Sequence, residues 1–155
     1  LGLVYERLGR LEEASSHYQQ AVALNSNDFL SMINLGNIYA RRNNWPAALE
    51  WYLKAAAAEP RSEGAQTNLG RVYIMLGGLE KAEKHLRKAL EINPQNIGAL
   101  QNLTVLLAKK GLLQEALKTN QRVIQLAPGW QPALRLRAKL LKLQSLKQRE
   151  KEEKK

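Results

Sequence analysis

The sequence predicts an all-α fold: a solenoid of antiparallel helix pairs, four units long and closed by a C-terminal capping helix. Three observations predict it. The triplet Asn34-Leu35-Gly36 returns as Asn68-Leu69-Gly70 and as Asn102-Leu103-Thr104, 34 residues apart each time, and a fixed period of that size marks stacked repeats. Within a unit, apolar residues recur at three and four spacing twice, first Met32, Leu35, Tyr39 and then Ala48, Tyr52, Ala55. That is the amphipathic-helix period with a break in the middle. Proline then closes each unit at Pro60, Pro94 and Pro128, where its missing N–H stops a helix.

Taken in order, the chain divides into a partial first unit (1–28), three full units (29–62, 63–96, 97–130) and a capping helix with a basic tail (131–155), all in one domain. The first unit enters at its seventh position with Leu1 and Gly2, without Met, so the natural protein is expected to extend upstream. Gly9, Gly77 and Gly111 mark the break between helices, with Asn43 in that slot of the second unit; all suit a left-handed helix end. Pro46 suits the first turn of the next helix, and Asp28, Ser62 and Asn96 are the expected N-caps. The small Gly36, Ala48 and Ala82 are expected to let two helix backbones approach, with Leu35 and Tyr39 filling the space beside them. No pair buries its apolar face alone, so neighbours must stack. In the last segment Leu134, Ala138 and Leu141 are expected to face the fourth unit. Beyond Leu146 the run to Lys155 is expected to fray or to project as a solvated helix.

Composition narrows the function classes. There are no cysteines, which excludes disulfides, thiolate metal sites and Cys nucleophiles. No apolar run approaches the roughly 18 residues of a membrane span, and no signal segment opens the chain. The cytoplasm is the expected compartment, although nothing in the sequence fixes it. Net charge is +10, and the segment 131–155 carries nine Lys/Arg against three Glu, more than half of the excess. A solvated end-cap accounts for that charge more simply than attachment to nucleic acid or membrane.

Little in the chain can carry chemistry. His17 and His85 fall in one slot two units apart, too far to share a metal or a proton, and both read as outer-surface residues. The glycines are spaced as contacts and turns, not as a phosphate loop. Glu12-Glu13 and Glu152-Glu153 are local charge pairs. Asn102-Leu103-Thr104 matches a glycosylation sequon but lies within a predicted helix. No catalytic, cofactor-binding or metal site is therefore expected, and the chain is not read as an enzyme.

The slots filled by Leu35, Gly36, Tyr39, Ala48, Ala55 and Pro60, with their copies, resemble the tetratricopeptide repeat (TPR) family over nearly the whole chain. The resemblance implies a right-handed superhelical solenoid in which the first helix of each unit lines a concave groove, with positions 2, 5, 6, 9, 12 and 13 facing it. Position 6 holds Asn34, Asn68 and Asn102; position 9 holds Asn37 and Arg71, and position 13 holds Arg41 and Lys109. These seven residues are the candidate peptide-binding groove. Asn is a mediocre helix former, and its amide can meet both the N–H and the C=O of a bound backbone. Rungs roughly 9 Å apart would meet an extended peptide, rising about 3.3 Å per residue, at every third residue. The arrangement is similar to the asparagine ladder in the repeats of O-linked N-acetylglucosamine transferase. Arg41, Arg71 and Lys109 beside it favour acidic side chains. The plainer reading is that neighbouring side chains satisfy these amides across the groove.

Co-chaperone repeats that grip acidic chaperone tails use a clamp of Lys, Asn, Asn, Lys and Arg. Its slots here hold Ile33, Asn37, Asn68, Gly98 and Asn102, or one unit later Thr67, Arg71, Asn102, Pro132 and Leu136. The clamp's basic residues are missing in both registers. The function expected is a protein–protein interaction module with a scaffold or adaptor role, taking an extended, acidic peptide and no small-molecule substrate. The alternatives are a self-associating structural scaffold, or the substrate-docking arm of an enzyme whose catalytic domain lies elsewhere.

Overall fold

The computed structural model describes residues 1–152, the side chain of Lys151 aside, and the regular elements among them are all helices. They are α1 (Gly2–Arg7), α2 (Leu11–Leu24), α3 (Phe29–Arg41), α4 (Trp45–Ala58), α5 (Glu63–Met75), α6 (Leu79–Ile92), α7 (Ile97–Lys109), α8 (Leu113–Leu126) and α9 (Gln131–Glu152). The helix starts repeat every 34 residues in two series, one from Leu11 and one from Phe29.

Local chemistry explains where each helix begins and ends. Asp28, Ser62 and Asn96 accept from the backbone N–H of Ser31, Ala65 and Ala99, capping α3, α5 and α7. Each cap satisfies a donor that the first turn leaves without an intrahelical partner. Asn44 does the same for α4, with Pro46 in its first turn. The turns within units need a left-handed residue, and Gly9, Gly77 and Gly111 supply it at φ of 73°, 80° and 78°. Asn43 takes that conformation at φ 58° in the second unit, which its short polar side chain tolerates.

Each first helix up to α7 packs against the second helix of its own unit, for α3 to α7 more extensively than against any other, and each second helix also packs on the first helix that follows. Successive first helices also touch, α3 with α5 and α5 with α7. Two layers result, with the first helices side by side along one face. Leu35, Ile38, Leu69, Val72, Leu86, Leu100 and Leu106 are fully buried between the layers.

The small residues act differently from expectation. A Cβ on Gly2 would stand 2.6 Å from the Tyr18 ring, and one on Gly36 or Gly70 would collide with Tyr52 or Leu86. The glycine slot therefore makes room for a large side chain sixteen residues later, not for a second backbone. In the fourth unit those two slots hold Thr104 and Asn120, both fully buried, so a larger residue in one is matched by a shorter one in the other. Thr104 Oγ1 donates to the Leu100 carbonyl at 2.9 Å, and Asn120 Nδ2 donates to the Ala133 carbonyl at 3.2 Å.

The last helix is turned from its expected orientation. Ala133 and Leu140 are the residues α9 buries, with Leu136 packed against the core of the fourth unit, while Ala138 and Leu141 are exposed and Leu134 is half-buried. The reason is register. Ala133 and Leu140 fill the slots that Ala99 and Leu106 fill in α7, and that side of a first helix faces the preceding unit. From Leu146 to Glu152 α9 continues as helix with its side chains in solvent, Lys151 aside; the expected end of the tail at 153–155 lies outside the described residues.

Candidate functional site: the groove of first helices

The first helices stand close enough for position 5 of one to meet position 2 of the next. Ile33 lies 3.9 Å from where a Cβ on Gly64 would stand, and Thr67 lies 3.5 Å from the same point on Gly98. Position 2 is glycine in both α5 and α7.

Four groove and core residues form one hydrogen-bonded cluster at the α3–α5 step. Tyr52 Oη donates to Asn37 Oδ1 at 2.7 Å, and Asn68 Nδ2 donates to the same oxygen at 3.4 Å. Arg71 donates to Tyr52 Oη at 3.4 Å. The Tyr52 ring is fully buried, so its hydroxyl reaches the groove floor from the core. Burial pushes the phenol up, and the neighbouring Arg71 guanidinium opposes that rise. The first unit repeats the device: Tyr18 Oη donates to Glu6 Oε2 at 3.1 Å, and burial followed by that contact raises the phenol to about 12. Glu6 in turn pairs with Arg41 at 3.5 Å.

The seven expected groove residues thus divide. Asn37, Asn68 and Arg71 come together, with Asn68 partly satisfied by its neighbour as the plainer reading required. Asn34 and Asn102 are half-buried and make no side-chain hydrogen bond among the described residues. Arg41 is tied to Glu6, and Lys109 stands exposed at the end of α7. Sequence reasoning missed Tyr52, Thr67 and Gln101. The last two sit at position 5, a groove-facing slot, and their polarity there was the available signal.

Units three and four lack the tyrosine. Leu86 and Asn120 take its slot, and no phenol enters the floor from the core. Here the polar atoms go without partners: Thr67 Oγ1, Arg71 Nε and Gln101 Oε1 are buried atoms with no hydrogen bond among the described residues. Buried polar atoms are as a rule satisfied; with Glu63 Oε2 at the start of α5, four are left open along α5 and α7, and three of them hold groove-facing slots. Arg71 is also without a carboxylate partner in the described ion pairs.

The histidines are not outer-surface residues. Both are half-buried, and each ring stacks on a tyrosine of its own unit: His17 on Tyr5 at 5.1 Å and His85 on Tyr73 at 5.4 Å between centroids. His85 Nδ1 also lies 2.8 Å from Oε1 of the buried Gln66. Desolvation lowers the His85 pKa, assisted by the charges of Lys88 and Lys84. The sequon lies within α7 with Asn102 half-buried and Thr104 fully buried, so the folded helix does not present it for attachment of a glycan to Asn102.

A helical-repeat solenoid with an open polar groove is the class that this fold and site define. The chain belongs to the tetratricopeptide repeat family, whose models match residues 1–61, 28–95 and 79–140. No curated protein matches it significantly. Among solved structures it is similar to MamA, at 21% identity and a TM-score of 0.77, covering 100% of this chain and 98% of that one. It is also similar to YrrB, a TPR protein with an unusual peptide-binding site, at 24% identity and a TM-score of 0.74, covering 93% and 74%. The first TPR of Spaghetti (RPAP3), bound to the HSP90 peptide SRMEEVD, aligns at 24% identity with a TM-score of 0.72, covering 76% and 95%. At these identities the likeness establishes the shared superhelical fold.

Proposed function

We propose that this chain is a non-catalytic interaction module that holds an extended, acidic peptide segment along the groove of α3, α5 and α7. The observation that carries this reading is the row of unpartnered buried atoms, Thr67 Oγ1, Arg71 Nε and Gln101 Oε1. A bound backbone with side-chain carboxylates supplies acceptors for Arg71 and a donor for Gln101. The free amides of Asn34 and Asn102 flank that row, and each can accept and donate to a peptide group at once. Arg71 without a carboxylate partner and a net charge of +10 favour acid in the ligand. Peptide binding by YrrB and by the RPAP3 repeats lends support by analogy of fold. The grip differs from the basic clamp, since Ile33 and Gly98 occupy two of its basic slots.

The test is selection of a random dodecamer phage library on the wild type and on Asn34→Ala/Asn68→Ala/Asn102→Ala. Enriched, acid-bearing peptides should bind the wild type and lose the triple variant. The unfolding midpoint should barely move, because only Asn68 makes a side-chain bond, and that one is long. Loss of the fold in the triple variant would show the amides to be structural, and no enrichment on the wild type would sink the reading. Self-association is the second reading, favoured by the exposed Leu1, Leu3, Val4 and Leu8. Light scattering across concentrations decides it.

A further inference from the structure

Each first helix from α3 to α7 packs positions 4, 8 and 11 towards the second helix of its unit, while position 7 also meets the second helix of the unit before. In α7 these are Leu100, Leu103, Thr104 and Leu107, all buried. The helix α9 keeps the same register and holds Leu134, Arg137, Ala138 and Leu141 there. Leu141 is 47% exposed where Leu107 is 3% exposed, because α9 runs on unbroken through Glu152 past the point where the other units turn. No described segment returns over it. The face is a receiving surface for a helix, of the kind built four times earlier in the chain, and among the described residues it is left open.

Charge and size on this face describe what fits. At about 3.6 residues per turn, Arg137 borders the Leu134–Ala138–Leu141 stripe on one side and Arg135 with Lys142 on the other. No acidic residue precedes Glu150 in α9, and none of the described ion pairs involves this helix. Arg137 also replaces the leucine found at position 7 as Leu35, Leu69 and Leu103. A second α9 would bring like charges together, so pairing between copies through this face is disfavoured. The size rule runs through the other units: glycine at position 8 faces Tyr18, Tyr52 or Leu86, whereas Thr104 goes with Asn120, which has a smaller volume than any of them. Ala138 falls in that slot with a Cβ, which excludes a tyrosine opposite.

We propose that α9 is a docking surface for an acidic amphipathic helix of a partner protein, which seats as the missing second helix of a fifth unit. The contact is helix-in-groove recognition. Its signature is two small residues flanking one of about valine size, at the spacing of Ala82, Leu86 and Ala89, between acidic borders. This site is separate from the peptide groove and stands whether or not the groove binds.

The probe is a fluorescein-labelled, N-acetylated 18-residue helical peptide with Ala, Val and Ala at that spacing and Glu at the bordering positions. Its affinity is read by anisotropy at low salt. Binding to the wild type should weaken at least about tenfold in Leu134→Asp/Leu141→Asp, whose circular dichroism should match the wild type. A version with Tyr in place of Val should bind less well, and Ala138→Gly should reverse that preference. The charge-reversed variant Arg135→Glu/Arg137→Glu/Lys142→Glu should reject the Glu peptide and accept its Lys counterpart. No binding to the wild type, equal binding to Leu134→Asp/Leu141→Asp, or a Val/Tyr preference untouched by Ala138→Gly would each overturn the proposal. So would capture of phosphatidylserine vesicles in place of the peptide, lost in the Asp variant, which would make the face a lipid surface.

Discussion

Replacing Gly36 by Ala puts packing and site in one experiment. Helix propensity alone favours the change, because Ala in a helix interior is better than Gly by about 1 kcal/mol. The structure opposes it. The new Cβ would collide with the middle of the Tyr52 ring, not with a flexible tip. That ring is fully buried and its hydroxyl is held by Asn37 at 2.7 Å, so it cannot swing without losing both. Overpacking costs roughly 1–3 kcal/mol and the lost hydrogen bond about 1 kcal/mol. Against the propensity gain, a net loss of about 2 kcal/mol remains. At about 2–4 °C per kcal/mol for a chain of this size, the unfolding midpoint should fall by roughly 4–8 °C. Gly64→Ala is the matched control: its nearest neighbour would be Ile33 at 3.9 Å, so the same substitution should raise the midpoint slightly. Thermal melts followed by circular dichroism give both numbers. A Gly36→Ala midpoint at or above the wild type would refute the reasoning, since the ring would then have moved without cost.

Other consequences can be measured in the same way. The His85 pKa is lowered in the fold below its ordinary 6.5, so the unfolded chain binds the proton more readily. Stability is then full above pH 6.5, falls as pH drops through the folded value, and should fall less steeply in His85→Phe, which keeps a ring against Tyr73. Gly77 holds φ at 80°, and Gly77→Ala should lower the urea midpoint by an amount worth about 1 kcal/mol. Asn43→Gly, at the matching turn, should change it by only a few tenths.

Much of the fold is legible in the sequence because its signals are local. Caps at Asp28, Ser62 and Asn96, turn residues at Gly77 or Asn43, and the three-and-four spacing each act within a few residues of chain. What stayed hidden depends on which residue meets which across helices. Tyr52 reads as a core residue, and nothing in its own helix shows that the hydroxyl comes out beneath Asn37 and Arg71. The histidines read as surface because their partners, Tyr5, Tyr73 and Gln66, belong to another helix. The orientation of α9 was missed for a related reason. Leu134, Ala138 and Leu141 are the apolar stripe of a first helix, and that stripe always faces the helix after it, not the unit before. Ala133 and Leu140 carried the backward contact, and their smaller footprint on the apolar pattern concealed it.

The exchange of Gly and a large residue for Thr104 and Asn120 has a consequence for how the repeats are ordered. Asn120 is sealed from water, and its one hydrogen bond goes to the Ala133 carbonyl in the first turn of the last helix. The fourth unit is therefore addressed to its place in the array. Transplanted inward, the buried amide would need a matching carbonyl in whatever helix came next; replaced by a copy of the third unit, the end helix would lose its polar latch. Shuffling these modules would keep the period and lose the sequence of neighbours that it encodes.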